Sequence, residues 1–333
     1  MKLVKHLREE KPKKKGQFLI VLLFVLNMFI WASALYLWHE ARDFKPEARE
    51  NFAMDMDIYE RQTAQTPPRQ NMALNYDEVN FQLFSHTALL INLDTGEVLF
   101  DYNGDVRRYP ASVTKIMTTL LGVIHATGEE IPIYADFHAL HEANSAMADF
   151  AFGEIRSLSD VLHGALLSSG GDATTSLAYH ISGSYEGFIG LMNDTAAQLG
   201  MHDTHFMNAT GLHHEQHYTT AYDIGLLLAY ALTYPEFRDL FTTESYTFIN
   251  PFGHEQLMTS IMFRNLPSPI FPGGEILGGM TGFTTPAGLC LASIATDGVN
   301  EFALITFGAP TTEIISANIQ DALTVYEYFF SLE

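Results

Sequence analysis

The chain has 333 residues, of which 47% are hydrophobic and 17% charged, enough apolar material for at least one well-packed core. Removing residues 1–15 takes away seven of its 18 basic residues and two of its 39 acidic ones, which leaves 11 basic against 37 acidic residues and a formal charge of −26. Such an acidic composition argues against binding to nucleic acid or to an anionic membrane surface, because both associations depend on Lys and Arg side chains.

The N-terminal 38 residues predict a segment that inserts into a membrane. A basic tail at residues 1–16 precedes residues 17–38, where no side chain from Phe18 to Trp38 is charged. That run is about the 20 apolar residues that a helix needs to cross a bilayer. The basic flank predicts that the tail stays inside the cell and that the remainder is exported. Two interpretations remain open: a signal-anchor that holds an extracytoplasmic domain to the cell membrane by a single pass, or a signal peptide that is cleaved after Ala34 and releases a secreted protein.

Residues 39–80 predict an extracytoplasmic stalk, and residues 81–333 a folded domain. The first stretch mixes charged residues with Gln and Asn, contains Pro67-Pro68 and lacks periodicity. In the second, the apolar runs 86–93 and 97–101 flank a short turn and predict a β-hairpin.

The rest of the predicted domain has helices in its middle and strands near its end. The spacing of apolar residues predicts helices after Ser112 and at residues 158–167, 173–180, 185–199 and 221–232. Extended segments at residues 276–281, 288–296 and 302–308 precede a last helix at about 312–330. This order predicts an α/β (α+β) fold, in which both chain ends build an antiparallel sheet and a helical lobe is inserted between them.

Lys115 is the single lysine after Lys45, and it lies three residues beyond Ser112 at the predicted start of a helix. Side chains at i and i+3 share a helix face, so the amine can reach the hydroxyl. A serine hydroxyl needs a neighbouring base to become a nucleophile, and a lysine with a lowered pKa can act as that base. The helix N-terminus disfavours a protonated lysine and offers free N–H groups to an oxyanion. The alternative is a solvated lysine on a helix that follows an ordinary serine.

Four further stretches accompany this Ser-x-x-Lys pair. They are Thr95-Gly96-Glu97-Val98-Leu99, Ser168-Ser169-Gly170-Gly171-Asp172-Ala173, Asn208-Ala209-Thr210-Gly211-Leu212 and Gly279-Met280-Thr281-Gly282-Phe283-Thr284. In these residues and their order, the chain from about residue 84 to 330 closely resembles the D-alanyl-D-alanine carboxypeptidases, which are low-molecular-mass penicillin-binding proteins. The resemblance implies the transpeptidase fold that penicillin-binding proteins share with β-lactamases.

The resemblance also implies a serine D,D-peptidase that acts on peptidoglycan stem peptides and that β-lactams inhibit covalently. Ser112 would be the nucleophile and Lys115 its base, and Ser169 would relay protons to the leaving amine. No cofactor and no metal are implied.

A substrate-binding strand is implied at residues 279–283. Met280, Thr281, Gly282 and Phe283 would lie along the substrate, with Thr281 on its terminal carboxylate and the Phe283 N–H completing an oxyanion hole with that of Ser112. Gly171 would be a further substrate-binding position. It belongs to the family's second motif, which the stretch from Ser168 to Ala173 resembles.

Two positions depart from the family pattern. Gly171 replaces an asparagine and Met280 replaces a lysine, so an amide and a positive charge are missing. Losing a charge-assisted contact typically costs about 1.5–3 kcal/mol. Other cations that could replace the lysine are Arg238, Arg264, His213, His214, His217 and His254.

Three functions therefore remain open. The first is an active carboxypeptidase or endopeptidase, and the second is a catalytically impaired relative that only binds peptidoglycan. A class A β-lactamase is disfavoured, because such enzymes carry a further glutamate after the second motif and this chain has none from the Asp203 region until Glu215.

Overall fold

A computed structural model describes residues 73–128, 130–134, 140, 144–250, 252–311 and 316–331. The predicted tail, the predicted membrane segment and the stalk up to residue 72 lie outside the described residues. Among the residues that the structure describes, no helix has the length and apolar character needed to cross a bilayer.

The described residues include the predicted strands and helices in their predicted order, together with further short elements that the sequence analysis did not predict. The strands are β1 (Leu74–Asn75), β2 (Thr87–Asn92), β3 (Val98–Tyr102), β4 (Glu130–Pro132), β5 (Ile155–Ser157), β6 (Ser245–Ile249), β7 (Glu255–Thr259), β8 (Ile270–Phe271), β9 (Gly274–Thr284), β10 (Gly288–Thr296) and β11 (Glu301–Ala309). The helices are α1 (Lys115–His125), α2 (Leu158–Leu166), α3 (Gly171–Ser182), α4 (Tyr185–Gln198), α5 (Ala221–Ala231), α6 (Pro235–Thr242), α7 (Ile261–Asn265) and α8 (Ala317–Phe330).

A seven-stranded sheet joins the two ends of the described chain, with the strand order β1-β3-β2-β11-β10-β9-β8. β11 pairs antiparallel with β2, so that Leu304 lies opposite Leu90 and Ile305 opposite Leu89. All its strand pairs are antiparallel except β1 with β3. This arrangement confirms the predicted sheet from both chain ends with helices inserted between them.

The sheet is covered on both faces, which explains why β10 and β11 are apolar almost throughout. Side chains alternate along a strand, so Ile305 packs in the cluster shared with α1 and the helical lobe, whereas Leu304 packs in the cluster under α8. A strand buried on both faces lacks the apolar-polar alternation of a half-exposed one. The core therefore consists of two layers separated by the sheet, and α1 lies in the larger of them.

The folded domain begins before residue 81, earlier than the sequence predicts. β1 pairs with β3, through Leu74 opposite Phe100. The ring of Tyr76 stacks on Tyr102 with 4.1 Å between centroids, and its hydroxyl accepts the Leu83 N–H at 3.1 Å. A two-residue strand has no detectable periodicity, so the last residues of the predicted stalk gave no signal that they belong to the sheet.

Candidate active site

Ser112 lies in a 3-10 turn (Ala111–Thr114) that leads into α1. Ala111 has a φ of 48°, in the left-handed region that residues with a Cβ rarely adopt. The side chain of Thr114 stabilises this turn by donating to the Ala111 carbonyl at 2.8 Å. The nucleophile candidate therefore follows a strained residue whose carbonyl is tied down, a feature that is common at active sites.

Two glycines from distant parts of the sequence pack against this turn. A Cβ on Gly282, in β9, would lie 2.7 Å from the Ser112 nitrogen. A Cβ on Gly211, whose φ is +82°, would overlap the Ala111 carbonyl group. Only glycine lets β9 and the 211 loop approach the backbone of the turn this closely.

Lys115 lies beside Ser112 in a dry environment. Its Nζ donates to the Ser112 Oγ at 3.1 Å and to the Thr210 carbonyl, and the residue is 1% exposed. Burial lowers the pKa of Lys115 from 10.5 to about 7, although the negative charge of Asp172 opposes this effect. A lysine with that pKa is about half deprotonated at pH 7, so its neutral amine is available as a base.

Asp172 is the buried carboxylate that opposes this pKa shift. Its oxygens accept the backbone N–H groups of Ala148, Phe150 and Ala173 at 2.8, 3.1 and 3.0 Å. Burial raises the pKa of Asp172 in spite of those three hydrogen bonds. The carboxylate thus ties α3 to the segment that precedes β5, and it acts on Lys115 through space.

Ser169 follows α2, with a φ of 54° and only 3% exposure. Its Oγ has no hydrogen-bond partner among the described residues. Buried hydroxyls are nearly always paired, so an unpaired one that lines a pocket is available to a substrate or to a proton in transfer.

These side chains meet in one pocket of about 230 Å³. Six of the eight sequence-predicted site residues line it: Ser112, Lys115, Ser169, Thr281, Gly282 and Phe283. The other two, Met280 and Gly171, are not among its lining residues.

Met280 does not reach this pocket because of its place on β9. It shares a strand face with Gly282, and its side chain is 2% exposed within the core cluster that contains Ala111 and Met117. Thr281 and Phe283 are on the opposite face, and Phe283 is 49% exposed. The structure therefore places Met280 in the packing beneath the turn that carries Ser112.

Gly171 begins α3, and its N–H donates to the Ala146 carbonyl at 2.8 Å. A Cβ at this position would overlap the hydroxyl of Ser145, which itself lines the pocket. The space next to the second motif is thus filled by the side chain of a neighbouring loop. Ser145 was not predicted from the sequence, since no local pattern marks it.

The candidate replacement cations do not line the pocket. Arg238 pairs with Glu301 at 2.9 Å, and Arg264 is exposed on α7. Burial lowers the pKa of His217 to about 3, so this histidine is neutral at physiological pH. Among the described lining residues, Lys115 is the only ionisable group.

His217 has another role, which sequence reasoning missed. Its Nδ1 accepts the Met207 N–H at 3.3 Å, so the ring proton is on Nε2 and is donated to the Thr114 Oγ1 at 2.9 Å. Thr114 in turn donates to Ala111. These hydrogen bonds connect the loop that contains His217 to the turn that carries Ser112, which lies more than 100 positions away in sequence. No local spacing of residues could have indicated this connection.

A family model described as D-alanyl-D-alanine carboxypeptidase, peptidase family S11, matches residues 72–311. The D-alanyl-D-alanine carboxypeptidase DacF of Bacillus subtilis is 34% identical over 241 residues, which cover 71% of this chain and 60% of that protein. The D-alanyl-D-alanine endopeptidase of Escherichia coli is 32% identical over 213 residues, covering 63% and 66%. The chain thus matches about 60% of the length of the first of these curated relatives.

Solved structures show the same fold. The crystal structure of the Streptomyces K15 DD-transpeptidase has a TM-score of 0.67 and 26% identity, over 76% of this chain and 99% of that one. The D-alanyl-D-alanine carboxypeptidase of Mycobacterium tuberculosis, at 23% identity and a TM-score of 0.65, covers 80% and 97%. The predicted fold class is confirmed.

Proposed function

Because this chain belongs to the D-alanyl-D-alanine carboxypeptidase family, we propose that it is a serine peptidase that cleaves the bond between the last two D-alanines of peptidoglycan stem peptides. The observation that carries the proposal is the 3.1 Å contact between the Lys115 Nζ and the Ser112 Oγ, at a site where the pKa of the lysine is about 7. A neutral amine within hydrogen-bond distance of a hydroxyl can remove its proton.

The reaction has two steps. Neutral Lys115 takes the Ser112 proton as the Oγ attacks the carbonyl carbon, and the N–H groups of Ser112 and Phe283 stabilise the oxyanion. The proton then passes through Ser169 to the leaving nitrogen, so D-alanine departs as an amine and an ester remains on Ser112. In the second step Lys115 deprotonates a water molecule, which attacks the ester and restores the serine hydroxyl.

Acylation of Ser112 by a penicillin tests this proposal. A β-lactam presents a reactive amide carbonyl that the serine can attack in place of the peptide carbonyl between the two D-alanines. We expect intact-protein mass spectrometry to detect one covalent adduct at saturating fluorescent penicillin, and the Ser112→Ala variant to show none. Ser331→Ala, which removes an exposed hydroxyl after α8, is the matched control and should label like the unmodified protein.

A specific observation favours a second function, a peptidoglycan-binding protein without turnover. Met280 is buried and Gly171 has no side chain, so neither supplies the polar group of the family motif. A protein that binds stem peptides but forms no adduct at any penicillin concentration would establish this function and exclude the first.

We also propose that residues 17–38 are not cleaved and serve as a signal-anchor. The folded domain would then act outside the cytoplasm, on the side of the cell wall that faces the membrane. The basic residues before this apolar run support the orientation. In fractionated cells we expect the unprocessed chain in the membrane fraction, resistant to alkaline extraction. A soluble protein with Leu35 as its first residue would show instead that the segment is cleaved.

A further inference from the structure

Ser145 occupies the space beside Gly171 on the wall of the Ser112 pocket. A Cβ added to Gly171 would overlap the Ser145 Oγ and would lie 3.2 Å from the Ser145 Cβ. The loop serine therefore already fills the volume that a side chain on residue 171 would take. Ser145 also lines the pocket, together with Ser112, Lys115 and Ser169. A hydroxyl from a neighbouring loop thus lies where the second motif would otherwise present a side chain.

The position of Ser145 is determined by hydrogen bonds on both sides of it. Its N–H donates to the Leu140 carbonyl at 2.8 Å, and the carbonyl of the next residue, Ala146, accepts the Gly171 N–H at 2.8 Å. The carboxylate of Asp172 holds the following part of the loop through the two loop N–H groups described above. The loop that carries Ser145 is therefore tied to the start of α3 at two points, and its hydroxyl stays next to residue 171.

The Ser145 hydroxyl has a proton that it can give to a bound molecule. Its Oγ donates to the Ala146 carbonyl at 3.1 Å. That carbonyl also accepts the Gly171 N–H, so it keeps a donor when the Ser145 hydroxyl rotates away. A serine hydroxyl rotates to suit its partner and can donate one hydrogen bond. Since Ser145 is half-buried and lines the pocket, the donor is accessible to a molecule bound there.

From these observations we propose that Ser145 is a substrate-binding residue of the Ser112 site, and that its hydroxyl donates to a backbone carbonyl of the bound peptide in place of a side chain on residue 171. The inference rests on the proposed function, because it concerns the substrate of the same serine. The second motif would then have a polar group after all, supplied by a loop that precedes it in the sequence.

Binding of a peptide to the full-length chain with Ser112→Ala tests this role without requiring turnover. An N-acylated peptide that ends in D-Ala-D-Ala would be titrated at pH 7, and its affinity measured by ligand-observed NMR. Adding Ser145→Ala should weaken binding about fivefold, the value of one neutral hydrogen bond. Adding Ser331→Ala instead, which removes a hydroxyl that donates to the Tyr328 carbonyl, should leave the affinity unchanged. Equal affinities with and without the Ser145 hydroxyl, or no binding of the peptide at all, would overturn the inference.

Moving the polar group to residue 171 separates hydrogen bonding from space filling. In the same background, Ser145→Gly should weaken binding about fivefold. Combining it with Gly171→Asn places an amide in the vacated space and should restore the affinity to within about twofold, since an amide also offers a donor. The added Cβ would lie 3.1 Å from the Leu140 side chain, whose flexible end can give way. Combining Ser145→Gly with Gly171→Ala fills the space without a polar group and should restore nothing. Equal affinities of the two double variants would show that volume alone matters, contrary to the inference.

Adduct formation with a fluorescent penicillin by the chain with Ser112 intact tests the proposed function separately. Peptide affinity that depends on the Ser145 hydroxyl, without any adduct on Ser112, would exclude the peptidase and leave the inference standing. An adduct on Ser112, together with a peptide affinity that Ser145→Ala does not change, would support the peptidase and remove Ser145 from its binding site.

Discussion

Replacing Lys115 with methionine is expected to lower the rate of Ser112 acylation by about a hundred- to ten-thousandfold, the range that a general base contributes. Methionine fills a similar volume but cannot accept the serine proton. The rate would be measured as adduct formation with a fluorescent penicillin under single-turnover conditions. An acylation rate within about threefold of the original would mean that another group removes the proton.

The pH dependence of acylation should change in the same variant. The base acts in its deprotonated form, and burial lowers the pKa of Lys115 to about 7. Acylation by the unmodified protein is therefore expected to rise as the pH increases towards 7 and to level off above it. The residual rate of Lys115→Met should lack this step, and Lys115→Arg, whose side chain stays protonated, should be as slow as the methionine variant.

Lys115→Met is also expected to stabilise the fold near neutral pH. A lysine whose pKa falls from 10.5 in the unfolded chain to about 7 in the fold costs on the order of 4 kcal/mol at pH 7. Methionine removes that cost but leaves the buried Thr210 carbonyl without its donor, a loss of about 1–3 kcal/mol. The variant should thus gain roughly 1–3 kcal/mol in its free energy of unfolding at pH 7.

Urea unfolding at two pH values checks this expectation. Between pH 7 and about 10.5 the unfolded lysine binds more protons than the folded one, so the unmodified protein gains stability relative to the variant as the pH rises. The advantage of Lys115→Met should therefore shrink or reverse at pH 10. A stability difference that is the same at pH 7 and pH 10 would show that the lysine is not neutralised by folding.

The contact between Ser112 and Lys115 could be predicted from the sequence because its geometry is local. Three positions separate Ser112 from Lys115, and a helical turn brings such residues together wherever it occurs. The cause of the lowered pKa could not be predicted in the same way. The sequence indicated a helix N-terminus, whereas burial is the main cause in the structure, and burial depends on residues such as Thr210 that are distant in sequence.

Met280 shows a second kind of limit. The resemblance placed it along the substrate, but the alternation of side chains on β9 puts it on the same face as Gly282, under the turn that carries Ser112. The period of two residues was available from the sequence; which of the two faces is buried was not. Similarly, the hairpin of β6 and β7 was missed although Tyr246 and Phe248 alternate with polar residues before a turn at Asn250.

Replacing Gly211 with alanine is expected to reduce acylation about a hundredfold without unfolding the protein. Its φ is +82°, and an added Cβ would overlap the Ala111 carbonyl group and lie 2.8 Å from the Ser112 nitrogen. These are backbone atoms, so the contact can be relieved only by moving the 211 loop or the turn that carries Ser112. A misplacement of about 1 Å in a reacting group can cost about a hundredfold in rate.

Gly200→Ala separates this displacement from the cost of the backbone conformation. Gly200 has a φ of +77°, and its added Cβ would meet no atom within 4 Å. Both variants should lose about 1–2 kcal/mol of stability from the left-handed conformation, with a further loss in Gly211→Ala from the contact. Only Gly211→Ala should acylate slowly. Equal acylation rates in the two variants would mean that the turn tolerates the added methyl group, and that close packing on the Ala111–Ser112 peptide does not position the nucleophile.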